Sequence, residues 1–156
     1  QYPKGSDFCK GSHIFFGTRL YDRIGHYYLE STCPKEIFEI LEHFVLNTIK
    51  EPDLELLSID VNLQIKGQDG TAHKDIFAGN KEDRTILFFP HSHWEESWGG
   101  PFEVLGDNDE VVEQIYPKPG RVVYFDSSVA HRGLGPLVEN TPRISIAYRM
   151  RKPQYD

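Results

Sequence analysis

A chain of 156 residues with 38% hydrophobic and 13% aromatic content is long enough to bury a sizeable core, too apolar to stay disordered, and most simply one domain spanning 1–156. Its 24 acidic residues against 17 basic ones give a net charge of −7, which counts against a nucleic-acid backbone as main partner. No apolar run nears the roughly 20 residues that cross a bilayer and no basic-then-apolar leader opens the chain, so a soluble, cytoplasmic protein with no membrane partner is expected.

In chain order, His13-Ile14-Phe15-Phe16 and Tyr27-Tyr28-Leu29 predict short strands divided by Gly17 and Gly25. Cys9 and Cys33 fit no paired metal-ligand spacing; they read as free thiols of a reducing compartment, with a Cys9–Cys33 disulfide as the alternative. Pro34 suits a first helical position and Glu36 the positive end of a helix dipole. From there Ile37, Phe38, Ile40, Leu41, Phe44, Val45, Thr48 and Ile49 recur at helical spacing and make one broad apolar face, until Pro52 ends the run. His43 lies within this helix with nothing to pair it as a ligand. Residues 1–57 therefore read as N-terminal strands and a supporting helix, ahead of a strand-rich core at 58–150.

From Ser58 to Lys66 the pattern switches to strict alternation, with Ile59, Val61, Leu63 and Ile65 on one face and Asp60, Asn62 and Gln64 on the other. The apolar face is expected to pack on the helix, and Asn62 and Gln64 to point into a polar lumen. Further strands are predicted over Arg84–Phe89, Phe102–Leu105, Val111–Tyr116, Arg121–Asp126 and Arg143–Arg149, separated by Gly- and Pro-rich turns. Asp107-Asn108-Asp109 reads as a hairpin turn, since the other ligands of a calcium loop are missing. Short strands at regular spacing make a mainly β sandwich or barrel.

Chemistry concentrates at His73-Lys74-Asp75, at His131, and at Arg143 and Ser145. Two imidazoles and one carboxylate are the ligand set of a facial-triad site, which holds Fe(II) on one face and leaves three positions open. Composition alone yields a His-x-Asp triplet in about one such chain in two, so the ordered set carries the reading. Arg143 and Ser145, two apart on a strand, point the same way and offer a cation and a hydroxyl to one carboxylate. His91-Ser92-His93, near Glu95 and Glu96, supports a rival cupin-type site, although its glutamates stand too close to the histidines.

With these residues the chain resembles the Fe(II)- and 2-oxoglutarate-dependent dioxygenases, and within them the short prolyl-hydroxylase-like forms, over about Ser58 to Met150. The family's H-x-D…H ligands fall on His73, Asp75 and His131, and its basic residue for the distal carboxylate of 2-oxoglutarate on Arg143, with Ser145 as partner hydroxyl. Trp98-Gly99-Gly100-Pro101-Phe102 is similar to the segment that turns into the fourth barrel strand, and Pro119-Gly120-Arg121-Val122-Val123-Tyr124-Phe125 to the strand leading to the second histidine. Asn62 stands where relatives carry the first member of an Asn-x-Tyr pair that touches the co-substrate; here the second member is Gln64, whose amide can donate to a carboxylate.

The resemblance implies a double-stranded β-helix, a jelly-roll or cupin-like barrel backed by the helix. It implies Fe(II), 2-oxoglutarate as co-substrate and O2, with ascorbate as reductant, and oxidative decarboxylation to succinate and CO2. Because Asp75 is present, it implies hydroxylation rather than halogenation. The expected substrate is a prolyl residue of a peptide or protein, or an amino-acid-like molecule, with Trp98, Arg132 and Phe77 as candidate groove residues and 76–83 as a candidate cover. A nucleic-acid demethylase on the same scaffold is the alternative that the acidic balance disfavours.

Overall fold

The computed structural model describes residues 16–23, 33–75 and 82–153. Among them run β1 (Phe16–Asp22), α1 (Lys35–His43) continued by a π-helical stretch (Phe44–Ile49), β2 (Glu55–Gln64), β3 (Arg84–Phe88), β4 (Phe102–Leu105), β5 (Val111–Ile115), β6 (Val122–Asp126), β7 (His131–Gly133) and β8 (Arg143–Arg151). The strands form two antiparallel sheets, one ordered β1-β2-β8-β3-β6 and the other β5-β4-β7. No helix among the described residues is long and apolar enough to cross a membrane.

The central strands β2, β8 and β3 of the larger sheet carry buried residues on both faces, and the period of two along them sorts side chains between the faces. One face packs on the helix: Ile59, Ile86, Ile146, Tyr148 and Met150 meet Leu41 and Val45, with Ile37 and Phe38 alongside. The Tyr148 hydroxyl donates to the Ile37 carbonyl and so ties β8 to the first turn of α1. The opposite face carries Leu87, Phe89 and Ala147, which pack against Phe102, Val104 and Ile115 of the smaller sheet. Two sheets closed over one apolar and polar lumen, with a helix behind the larger sheet, are the expected double-stranded β-helix.

Alternation in β2 is as expected: Ile59 faces the helix, and Asp60 and Gln64 face the lumen. Three local expectations are corrected. Pro34 is the cap and not the first helical residue; its ψ of 135° is extended, and the helix begins at Lys35. The helix does not stay α-helical to Ile49 but widens after His43 and stops at Lys50, whose φ is +59°. Gly17 does not break a strand, because β1 runs through it and pairs it with Asn62. The segment Tyr27–Leu29, His13, His26 and Cys9 lie outside the described residues, and Cys33 carries a free thiol.

Candidate active site

His73 follows β2 and makes a hydrogen-bonded bridge with His131 of β7, each backbone N–H donating to the other's carbonyl at 3.0 and 2.9 Å. Residues paired directly across an antiparallel bridge share a face, so the two rings converge, with centroids 4.4 Å apart. Asp75, fixed by its N–H to the Ser127 carbonyl, brings its carboxylate between them. His73 Nε2 lies 3.7 Å from Asp75 Oδ1 and His131 Nε2 lies 3.6 Å from Asp75 Oδ2. One ligand atom from each of the three falls within 4.8 Å of the others.

Both imidazoles are held in the form a metal requires. His73 Nδ1 lies 2.9 Å from the Thr71 carbonyl and His131 Nδ1 2.8 Å from the Val129 carbonyl. A carbonyl can only accept, so Nδ1 carries the proton and Nε2 presents its lone pair. Burial holds the His131 imidazole below its ordinary pKa and keeps the ring neutral. Phe102 and Phe125 wall it in, with centroids 5.2 and 4.9 Å away. Burial pushes the Asp75 carboxyl up, but the Arg149 guanidinium on Oδ1 and the Thr85 hydroxyl on Oδ2 hold it below its ordinary value and leave an anion. Two imidazoles and one carboxylate fit a divalent iron that keeps open positions.

A second polar cluster lies further along the same lumen. Gln64 and Arg143 are cross-strand partners on β2 and β8, as are Asn62 and Ser145, so these four form one block on one face. Arg143 is 2% exposed, and burial pushes it down to about 10. Its Nε donates to the Gly100 carbonyl at 2.8 Å and its Nη1 to Gln64 Oε1 at 2.7 Å and Ser145 Oγ at 3.4 Å. The Phe89 ring lies 5.1 Å beneath it. No carboxylate pairs with Arg143 among the described residues, and a buried cation without one is costly. A Cβ on Gly133 would stand 3.2 Å from both terminal guanidinium nitrogens; Gly133 is two strand residues from His131, a rise of about 7 Å. That separation matches a small dicarboxylate reaching from the metal ligands to the guanidinium.

Several expectations about individual residues change here. Gln64 does not offer its amide to a co-substrate, since both hydrogens go to the Gln68 and Gly133 carbonyls at 2.8 Å and its oxygen receives Arg143. Arg132, next to His131 on β7, points to the opposite face and pairs at 2.7 Å with buried Glu103. Trp98 sits at the far end of the smaller sheet, where its carbonyl accepts from Leu137 N–H and its ring meets His93 and Trp94. Phe77, and all but the last two residues of the candidate cover, lie outside the described residues.

The cupin-type site is not formed. His91 Nε2 accepts the Ile144 N–H at 3.1 Å, and the one group of metal-competent side chains among the described residues is His73, Asp75 and His131. His91 is instead a support that the sequence reading missed: Pro90 ends β3, and the imidazole replaces the next ladder carbonyl beside Arg143. Also missed were Thr85, which donates to Asp75 Oδ2 at 3.0 Å, and Arg149, which donates to Asp75 Oδ1 at 3.0 Å. The signal for Arg149 was available, since period two from Arg143 and Ser145 carries a cation to the same face.

Two imidazoles and a carboxylate gathered inside a double-stranded β-helix define a mononuclear metal protein of the facial-triad kind. A family model described as the 2OG-Fe(II) oxygenase superfamily matches residues 61–151, and the chain belongs to that superfamily. Its members use Fe(II), 2-oxoglutarate and O2. A Pseudomonas putida prolyl-4-hydroxylase is similar in fold, with a TM-score of 0.59 and 15% identity over 92% of this chain and 76% of that one. A Burkholderia pseudomallei oxidoreductase of the 2OG-Fe(II) oxygenase family gives 0.67 and 16% identity over 90% and 68%. The 2-oxoglutarate complex of the viral collagen prolyl hydroxylase of Paramecium Bursaria Chlorella virus-1 gives 0.55 and 17% identity over 94% and 83%. No curated protein sequence matches the chain significantly.

Proposed function

We propose that this dioxygenase hydroxylates an unactivated C–H bond of a prolyl residue in a peptide or protein, or of an amino-acid-like substrate. His73, Asp75 and His131 hold Fe(II), and Arg143 with Ser145 holds the distal carboxylate of 2-oxoglutarate. The observation that carries the co-substrate assignment is Arg143, a buried guanidinium with no carboxylate partner among the described residues, on the lumen face that also carries the metal ligands. A dicarboxylate supplies the missing counter-charge. Bound at this centre, Fe(II) supplies oxidative decarboxylation of 2-oxoglutarate to succinate and CO2, coupled to insertion of one oxygen atom into the substrate.

The chain's own residues do the rest. The Thr71 and Val129 carbonyls fix the imidazole protons at Nδ1, Gln64 and the Gly100 carbonyl aim the Arg143 guanidinium, and the rings of Phe89, Phe102 and Phe125 stand against Arg143 and His131. Apolar neighbours strengthen the charge contacts they enclose. The choice of prolyl substrate is supported by fold likeness to prolyl hydroxylases, including one named for collagen. It is tested by incubating the protein with Fe(II), 2-oxoglutarate and proline-rich peptides and reading masses. A gain of one oxygen on proline, matched by succinate, is expected; succinate formation with every peptide unmodified would reject a prolyl substrate.

A further inference from the structure

Outside the ligands and the co-substrate block, the lumen holds one more charged assembly. Arg149 is buried on β8 and forks between two carboxylates, with Nη1 2.6 Å from Asp60 Oδ2 and Nη2 3.0 Å from Asp75 Oδ1. Asp60, buried on β2, also accepts Ser58 Oγ at 3.1 Å and Arg19 Nε at 2.8 Å, and Arg19 continues to Asp22 at 2.9 Å. Charges alternate along Asp22, Arg19, Asp60, Arg149 and Asp75, from the edge strand β1 to the metal carboxylate. Arg19, Asp22, Ser58 and Asp60 all precede residue 61, where the family match begins.

We propose that Arg149 is a positioning residue for the metal centre, and that Asp60, braced by Ser58 and Arg19, holds Arg149 in place. This rests on the reading that His73, Asp75 and His131 bind the metal. Asp75 has two equivalent oxygens and a free side-chain rotation; a guanidinium on Oδ1 and a hydroxyl on Oδ2 leave it one orientation, with each oxygen turned toward one imidazole. Groups that orient metal ligands from behind typically govern metal affinity by 10–100-fold. A bystander cation acts in the opposite direction: removing it from beside a metal carboxylate tightens metal binding by Coulomb's law. The sign of the effect therefore separates positioning from charge balance.

The test is Co(II) binding to the full apo-chain by isothermal titration, with the visible Co(II) spectrum as a second readout. Arg149→Met leaves two carboxylates facing one another and can unfold the protein, so the decisive variant is Arg149→Met with Asp60→Asn, which removes both charges together. Co(II) affinity is expected to fall by about 10–100-fold in that variant, with a changed ligand-field spectrum. Arg149→Lys, which keeps the charge but reaches only one carboxylate, should fall between it and wild type. Co(II) affinity at or above wild type in the double variant overturns the proposal while leaving the metal site intact. Unchanged binding in His131→Ala overturns the metal assignment itself, and the proposal with it.

Discussion

The Arg143 guanidinium illustrates how much a single position decides. Truncating one side of a buried charge contact costs about 2–5 kcal/mol, so Arg143→Gln should weaken 2-oxoglutarate at least about 30-fold while metal affinity stays near wild type. Separate titrations of metal and co-substrate check this; equal loss of both would mean that Arg143 only holds the fold. His91 adds a pH dependence. Burial, then the neighbouring Arg143, lower its pKa. The folded state thus binds a proton less readily than the unfolded chain, so the contribution of His91 is complete above its unfolded pKa of about 6.5 and is lost as pH falls through the lower folded value. Chemical denaturation across this range should show wild type losing more stability than His91→Phe. The grouping of His73, Asp75 and His131, and the shared strand face of Arg143 and Ser145, could be read from sequence because residue type and spacing encode them. Gln64 and Arg132 could not, because their roles depend on cross-strand partners, Arg143 and Glu103, which local spacing does not name.

At the scale of elements, β2 shows why part of the fold was readable. Its alternation separates the helix-facing core from the lumen, and that separation survives folding because both faces are covered. β7 is the counterexample: three residues carry no periodicity, and its strand character comes from pairing with β4 and from the His73 bridge. β1 was misjudged at Gly17 because pairing with β2 outweighs a local break signal. The helix serves the site only from behind the larger sheet. Leu41→Ala, in the helix-facing core, should cost about 2–5 kcal/mol in denaturant unfolding. Co(II) affinity at temperatures where the variant stays folded should remain within about twofold of wild type, as for distant sites that add independently. A large loss of affinity would show that helix packing and metal geometry are coupled.

For the whole molecule, the site is a clasp between the two sheets. His73 and Asp75 follow β2 of the larger sheet, and His131 belongs to β7 of the smaller one. A metal held by all three binds the folded chain and not the unfolded one, adding about 2.7 kcal/mol at a free concentration one hundred times the dissociation constant. Calorimetry should therefore show the unfolding temperature rising by several degrees with Co(II), and the rise should vanish in His131→Ala. An equal rise in that variant would place the stabilising metal elsewhere. The acidic balance of the chain, −7 overall, coexists with a lumen where Arg143 and Arg149 stand on one strand face. Net charge could not report that placement, because it sums over the whole chain.

The most direct measurement is an anaerobic titration of the apo-chain with Fe(II) and then 2-oxoglutarate, following the visible charge-transfer band of the iron chelate. The band should appear in wild type, be lost in His131→Ala, and in Arg143→Gln require far more 2-oxoglutarate to reach the same intensity. Iron binding without any band, or a band indifferent to both substitutions, would contradict the proposed site.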